Sequence, residues 1–375
     1  MFYYLQEFRD AVSWLRMFQY ITFRALMGAG TAFLIALILG PPMIRWLRVL
    51  KFGQQIRNDD VMKHHGKKSG TPTMGGLLVI VSVLVSTLLW AVPTNGYVAL
   101  ALGTMIFMGG VGFLDDWLKI AKKNHKGLAG RKKILLQLLW GLVVAGILYA
   151  WPQSRIQMTQ LMLPFVKEPV IEHMWPVAAV LFVVVVIVGS SNAVNLTDGL
   201  DGLAIGCTSI SALAYLALAY VAGNVILSKH LLVPHVPGSG ELAVFCGCLA
   251  GAGLGFLWYN CHPAQVFMGD TGSLALGGSI AMVAIAIKQE LLLSIVGGVF
   301  VMEAASVILQ VASFKLTGKR IFRVAPIHHH FEKIEKEKAI REGRDVEVIE
   351  TMVTIRFWIL AIIFALFGVA TLKIR

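Results

Sequence analysis

Two adjacent carboxylates, Asp115 and Asp116, stand at the end of the apolar run Val111-Gly112-Phe113-Leu114. Neighbouring acids at a membrane boundary repel one another unless a cation or a lysine neutralises them, so the pair suits a divalent metal, general-base work, or both. Lys119, Lys122 and Lys123 follow, and a solvated helix end is the plain alternative. A second polar group, Asn192-Ala193-Val194-Asn195-Leu196-Thr197-Asp198-Gly199-Leu200-Asp201-Gly202, interrupts two apolar stretches. Asn and Asp offer oxygens and Gly lets the backbone approach a ligand, although a turn rich in Asn and Asp would look alike.

A third segment runs from Asn260-Cys261-His262-Pro263 to Phe267-Met268-Gly269-Asp270 and opens a Gly-rich helix. Asp270 either caps that helix or holds Mg²⁺, and Ser273 with the first backbone N–H groups suits phosphate. Phe267 stacks on a base or simply packs. The fourth segment carries His328-His329-His330 after Ala325-Pro326-Ile327. Three consecutive histidines point in different directions on any regular element, so they cannot all serve one metal, and no His-Glu-x-x-His is present. With Lys315, Lys319, Arg320 and Arg323 nearby, they suit gripping phosphates or relaying protons. A basic stretch, Lys63 to Lys68, leads into Gly70-Thr71-Pro72-Thr73-Met74-Gly75-Gly76. It reads as a phosphate-attracting mouth or as a positive anchor, and its spacing is not that of a Walker loop.

The elements that must position these groups are apolar. Of 375 residues, 57% are hydrophobic and 14% charged, and the mean hydropathy is +0.73, so lipid must be the principal solvent. Apolar runs near 21–44, 74–92, 98–114, 134–151 and 175–190, then 203–222, 243–259, 272–287, 291–314 and 354–372, predict ten membrane helices. Gly251, Gly253 and Gly255 suit close helix packing, and the short alternating strands of a β-barrel are missing. The first twenty residues are too polar for a signal-peptide core and suit an interfacial helix.

Lys and Arg assign the sides. Segments 45–73, 115–133 and 315–353 hold seven, seven and nine of the 33. Those segments, with 190–202 and 260–271, are therefore expected in the cytoplasm, with both termini periplasmic. The net charge of +12 follows from these loops; anionic lipid and phosphate substrates explain it, and nucleic acid is not called for. Cys207, Cys246, Cys248 and Cys261 lack Cys-x-x-Cys spacing, so neither disulfides nor a zinc site is expected. The whole chain reads as one polytopic domain.

Taken together, the segments 70–76, Asp115-Asp116, 195–202, 265–270 and 325–330 resemble the polyprenyl-phosphate N-acetylhexosamine-1-phosphate transferases over nearly the whole chain. The histidine triplet after Ala-Pro-Ile is similar to that of the muramoyl-pentapeptide branch, and not of relatives using UDP-N-acetylglucosamine. The resemblance implies a ten-helix bundle with a cytoplasmic cleft in the bacterial inner membrane. It implies transfer of phospho-MurNAc-pentapeptide from UDP-MurNAc-pentapeptide to undecaprenyl phosphate with release of UMP, Mg²⁺ dependence and a homodimer. It implies Asp270 as metal ligand, and Asp115 or Asp116 as the group at the lipid phosphate. Asp115, Asp116, Asp270, His328 and His329 are accordingly expected in catalysis. Lys68, Thr73, Lys126, Lys133, Asn195, Asp198, Gly199, Leu200, Asp201, Asn260, Phe267 and His330 are expected to bind substrate, Phe267 against the uracil. The charge-rich stretch 333–351 departs from the short connector expected there and suggests a solvated helix. Two paths are open: direct attack of the lipid phosphate on the donor phosphate nearest the sugar, or an aspartyl-phosphate intermediate. The rival classes are the same transfer from UDP-N-acetylglucosamine and a transporter of lipid-linked substrates.

Overall fold

The computed structural model describes residues 1–50, 70–121 and 127–373, and among these there is no strand; an isolated antiparallel bridge joins Leu161 and Ile171. The helices are α1 (Ile21–Val49), α2 (Gly76–Trp90), α3 (Gly96–Ala121), α4 (Gly130–Ala150) and α5 (Pro152–Met158), then α6 (Pro176–Thr197), α7 (Leu203–Gly223) and α8 (Val225–His230). They continue as α9 (Glu241–Asn260), α10 (Gly269–Ala286), α11 (Leu293–Val296), α12 (Gly298–Thr317), α13 (Ile327–Arg341) and α14 (Val348–Ala370).

Nine of the described helices are long and apolar enough to cross a membrane: α1, α3, α4, α6, α7, α9, α10, α12 and α14 with its C-terminal turn. Helix α2 is as apolar but has 15 residues, about 22 Å of rise against a hydrocarbon core of about 30 Å. Nine of the ten apolar runs expected to be helices are single helices, with bounds shifted by up to seven residues. The run at 291–314 is broken at Gly297 into α11 and α12. At the N-terminus the segment expected as an interfacial helix is two 3-10 helices, Phe2–Phe8 and Ser13–Gln19, and Phe18 stacks on Trp90 with ring centroids 5.8 Å apart.

Helix α10 is the centre of the bundle, packed by α3, α6, α2 and α7, while α9 lies between α1 and α7. Small residues make this possible. Gly251 and Gly255 of α9 receive the α1 backbone at Ala29 and Phe33, and Gly253 receives Ser209 of α7, the close approach that stabilises helix pairs in lipid. Hydroxyls add hydrogen bonds where hydrophobicity gives no preference. Ser190 and Ser191 of α6 donate to the Gly277 and Leu274 carbonyls of α10, at 2.9 and 3.1 Å. This revises one boundary. The expected polar loop at 190–202 is helix through Thr197, and only residues 198–202 form the turn.

The peripheral helices α1, α4, α6, α12 and α14 turn large apolar side chains outward, such as Leu34, Leu138, Val185, Ile308 and Leu366, which in a membrane face lipid. At the end of the bundle far from Asp270, the Arg24 guanidinium donates to both Glu241 oxygens at 2.6 Å and to the Trp90 carbonyl at 3.2 Å. This tie joins α1, α2 and α9.

Candidate active site

Asp115 and Asp116 are on the last turns of α3, not beyond it, and are 4% and 3% exposed. Lys119 lies one turn further along the same helix. Its Nζ is 2.6 Å from Asp115, 3.6 Å from Asp116 and 3.0 Å from Asp270. Lys133, on the first turn of α4, reaches Asp270 at 2.8 Å. Two ammonium groups therefore offset three carboxylates that would otherwise repel one another.

The backbone orients the acids further. Asp116 accepts hydrogen bonds from the Thr271 N–H (3.0 Å), the Thr271 hydroxyl (2.8 Å) and the Asp270 N–H (3.3 Å), all at the N-terminus of α10. A carboxylate is well placed at a helix N-terminus, where the first N–H groups have no partner inside the helix. Asp115 accepts from the Leu128 N–H, just before α4, at 2.7 Å. Asp270 accepts from the Asn195 amide at 2.8 Å, and that amide also donates to Ser273 at the same distance.

This contact needs backbones close together. A Cβ on Gly112 would overlap the Asp270 carbonyl, and Gly269, at φ 73°, would carry one 2.7 Å from Asp116 and 2.8 Å from Thr73. Residues 72–76 lie along 267–268. Phe267 N–H donates to the Pro72 carbonyl at 2.8 Å, Gly75 N–H to the Phe267 carbonyl at 2.8 Å and Gly76 N–H to the Met268 carbonyl at 2.9 Å. Thus Thr73 and the half-buried Phe267 are brought to the edge of the acidic group.

Asp198, at the end of α6, faces Gly269. Burial, then the Asp270 and Asp116 carboxylates, raise its carboxyl to about 8, against a hydrogen bond from the Gly269 N–H, although part of the side chain reaches solvent. Gly199 follows and touches the Nε2 atom of His328.

The histidines occupy the first turn of α13 and diverge as expected. His328 is fully buried, with Nδ1 3.0 Å from Glu303 of α12; burial lowers the imidazole's pKa, partly opposed by Glu303. His329 is partly exposed, with Nδ1 2.9 Å from Glu332. His330 accepts the Arg323 N–H at 3.2 Å and meets the Phe322 ring at 5.6 Å, so it ties down the preceding loop. The charged stretch expected at 333–351 is the rest of α13, a loop, and the start of α14.

Of the residues singled out in the sequence, Thr73, Asp115, Asp116, Lys133, Asn195, Asp198, Phe267 and Asp270 are gathered on the acidic group, and Gly199 links it to His328 and His329. Leu200 is buried beside this turn. Asp201 and Asn260 are engaged elsewhere: Asp201 meets His262 at 3.0 Å, and Asn260 bridges the Gly202 N–H and the Val266 carbonyl. Lys68 and Lys126 lie outside the described residues. Lys119, Thr271 and Glu303 were not singled out. Lys119 stands at i+4 from Asp115, the spacing that pairs charges on a helix, and Glu303 is an acid inside a membrane span, costly unless it has a task.

The oxygens of Asp115, Asp116 and Asp270 lie within 4.8 Å of one another, a hard, all-oxygen donor set suited to a hard divalent cation. Asp201, His262 and Glu350 form a second cluster, of two carboxylates and an imidazole nitrogen.

A bundle of apolar helices that gathers carboxylates, lysines and histidines at one end defines a membrane-embedded enzyme acting on charged groups. The comparisons agree. The model of glycosyl transferase family 4 matches residues 98–288, and signature 1 of phospho-N-acetylmuramoyl-pentapeptide-transferase matches residues 68–80. The phospho-N-acetylmuramoyl-pentapeptide-transferase of Methylacidiphilum infernorum (isolate V4) is 50% identical over 382 residues, and that of Desulfotalea psychrophila (strain LSv54 / DSM 12343) 51% over 377 residues, each match covering all of both chains. The enzyme of Koribacter versatilis (strain Ellin345) is 48% identical over 96% of this chain and 95% of its own. This chain belongs to the phospho-N-acetylmuramoyl-pentapeptide-transferase family, within glycosyl transferase family 4.

Proposed function

We propose that the acidic group of Asp115, Asp116 and Asp270 is the phosphoryl-transfer centre of a single polytopic domain. The chain transfers phospho-MurNAc-pentapeptide from UDP-MurNAc-pentapeptide to undecaprenyl phosphate, giving the first lipid intermediate of peptidoglycan and UMP. The observation that carries this reading is the convergence of three carboxylates and two lysines from α3, α4 and α10 on one small volume.

Asp115, Asp116 and Asp270 would hold Mg²⁺, with Asp270 its principal ligand because it is the most exposed of the three and lies at the mouth of α10. When bound, the ion would offset the negative charge of the two phosphates and polarise the donor phosphate. Lys119 and Lys133 attract and orient the phosphates. Asn195, itself fixed by Ser273, holds Asp270, and Asp198, Gly199 and Leu200 line the donor's diphosphate and uridine. Phe267 stacks on the uracil, Thr73 lies along the phosphate path, and Lys68 and Lys126, outside the described residues, keep the substrate-binding role that the family resemblance implies. His329 faces the donor; His328 and His330 fix α13 under it. In the reaction an oxygen of the lipid phosphate forms a bond to the donor phosphorus nearest the sugar. The bond from that phosphorus to the bridging oxygen breaks, and UMP leaves with the electron pair.

Direct attack is favoured over an aspartyl-phosphate. Three donors occupy the oxygens of Asp116, and Asp115 is held by Lys119 and the Leu128 N–H, so neither carboxylate is poised as a nucleophile. Helix α2 counts as a tenth span, short because its ends are tied to α10 and to the N-terminal turns. The site then faces the cytoplasm of a bacterial inner membrane and both termini face outward. A homodimer belongs to the same reading.

Purified protein given undecaprenyl phosphate, Mg²⁺ and either UDP-MurNAc-pentapeptide or UDP-N-acetylglucosamine tests it. Lipid product is expected only from the first donor. Equal turnover of both would move the chain to the other branch, and movement of an intact lipid-linked sugar without bond cleavage would make it a transporter.

A further inference from the structure

The turn between α6 and α7, residues 198–202, satisfies only part of its own backbone: the Gly199 N–H donates to Thr197 and the Gly202 carbonyl accepts from the Gly206 N–H, but the Asp201 N–H and carbonyl turn to side chains, and Gly202 is left-handed, at φ 75°. Side chains of the last membrane helix complete it, and Trp358 adds a second donor to the Gly202 carbonyl. The Asp201 N–H donates to Glu350 at 3.0 Å, the Asp201 carbonyl accepts from the Thr354 hydroxyl at 3.2 Å, and the Gly202 carbonyl accepts from the Trp358 indole N–H at 3.2 Å. Glu350, Thr354 and Trp358 are spaced by four, so one face of α14 makes all three bonds over two turns.

The segment before α10 holds the same residues from the other flank. Asn260 accepts the Gly202 N–H at 3.1 Å, and the Asp201 carboxylate accepts the Ala264 N–H at 3.2 Å. Every backbone polar group of Asp201 and Gly202 thus has a side-chain partner. Glu350 and Thr354 are both buried, where losing one partner leaves the other without water to replace it. The opposite edge of the turn is Gly199, exposed and set against ring nitrogens of His328 and His329.

We propose that Glu350, Thr354 and Trp358 are positioning residues: they set the height of Gly199 and Leu200 against the histidines, and through it the affinity for the donor's uridine diphosphate. None of the three touches the donor. The proposal rests on the reading of residues 198–200 as part of the donor site. Its consequence is asymmetric, because the clamp bonds reach Asp201 and Gly202 and not Asp115, Asp116, Lys119 or Lys133.

The test uses the full-length protein in detergent with Mg²⁺, comparing wild type with Thr354→Val, Thr354→Ser and Trp358→Phe. Titration calorimetry with UDP alone and separate KM values for UDP-MurNAc-pentapeptide and undecaprenyl phosphate are read. Thr354→Val and Trp358→Phe are each expected to weaken UDP and raise the donor KM about five- to tenfold, with the acceptor KM within about twofold. Thr354→Ser, which keeps the hydroxyl, is expected to restore wild-type donor affinity. If both KM values rise together with a fall in thermal stability, the role is structural and the proposal fails. Wild type that binds UDP well while Thr354→Val and Trp358→Phe bind it equally well sinks the clamp alone; wild type that binds no UDP sinks the donor-site reading beneath it.

Discussion

At the level of single residues, chemistry and stability are separable here. Asp270 is partly exposed and meets two lysines and Asn195, so exchanging its charge for an amide of the same shape leaves packing unchanged. Asp270→Asn is expected to lower turnover by at least about 10²-fold with the melting temperature in detergent held within a few degrees; wild-type rates across Mg²⁺ concentrations would reject the assignment. Glu332 does the reverse. Burial alone would raise its carboxyl, but His329 and Lys336 together outweigh that and bring it down from 4.5 to about 2. A depressed carboxyl stabilises the fold fully above its unfolded value and loses that contribution as pH falls from about 4.5 through about 2. Glu332→Gln is expected to cost about 1–3 kcal/mol at pH 7. In chemical unfolding the gap from wild type should narrow between pH 6 and 3, and a gap constant with pH would show that the charge contributes nothing.

Which residues were legible follows from the same distinction. Asp115, Asp116, Asp198 and Asp270 stand out because acids are conspicuous among apolar spans. The engagement of Asp201 with His262 and α14, and the burial of His328 on Glu303, are products of tertiary packing between helices far apart in sequence. No local pattern carries them.

At the level of elements, the bundle is tied at the end opposite the acids by Arg24 and Glu241. The pair is buried and bidentate, and Glu241 also accepts the Val92 N–H at 3.0 Å. Removing one partner of a buried pair leaves an uncompensated charge, which costs more than the pair contributes. Glu241→Gln is expected to destabilise the protein by about 3–5 kcal/mol, and Arg24→Met combined with it to recover part of that loss. Equal stability of Glu241→Gln and wild type would mean that the tie is neutral. Sequence periodicity located the helices well because each span is a long apolar run. It misplaced their ends where polar residues continue a helix, as Asn192 and Asn195 do in α6: Asn192 donates to Gln137 and Asn195 to Asp270 from within the helix. A polar residue in a membrane span reads as a loop until its partner on another helix is known.

At the level of the whole molecule, the distribution of Lys and Arg predicts which end of the bundle faces the cytoplasm, and the acids and histidines gather at that end. In a cysteine-free background, Lys167→Cys is expected to react with a membrane-impermeant maleimide from outside the cell, and Arg320→Cys only in inverted vesicles. The opposite pattern would invert the topology. The central claim is that the acidic end of this bundle transfers a sugar phosphate, breaking the bond between the two donor phosphates. The most direct measurement is the identity of the released nucleotide when purified protein is given UDP-MurNAc-pentapeptide, undecaprenyl phosphate and Mg²⁺. One UMP per lipid product is predicted, and none with Asp270→Asn. Release of UDP would place the cleavage between sugar and phosphate and contradict the account.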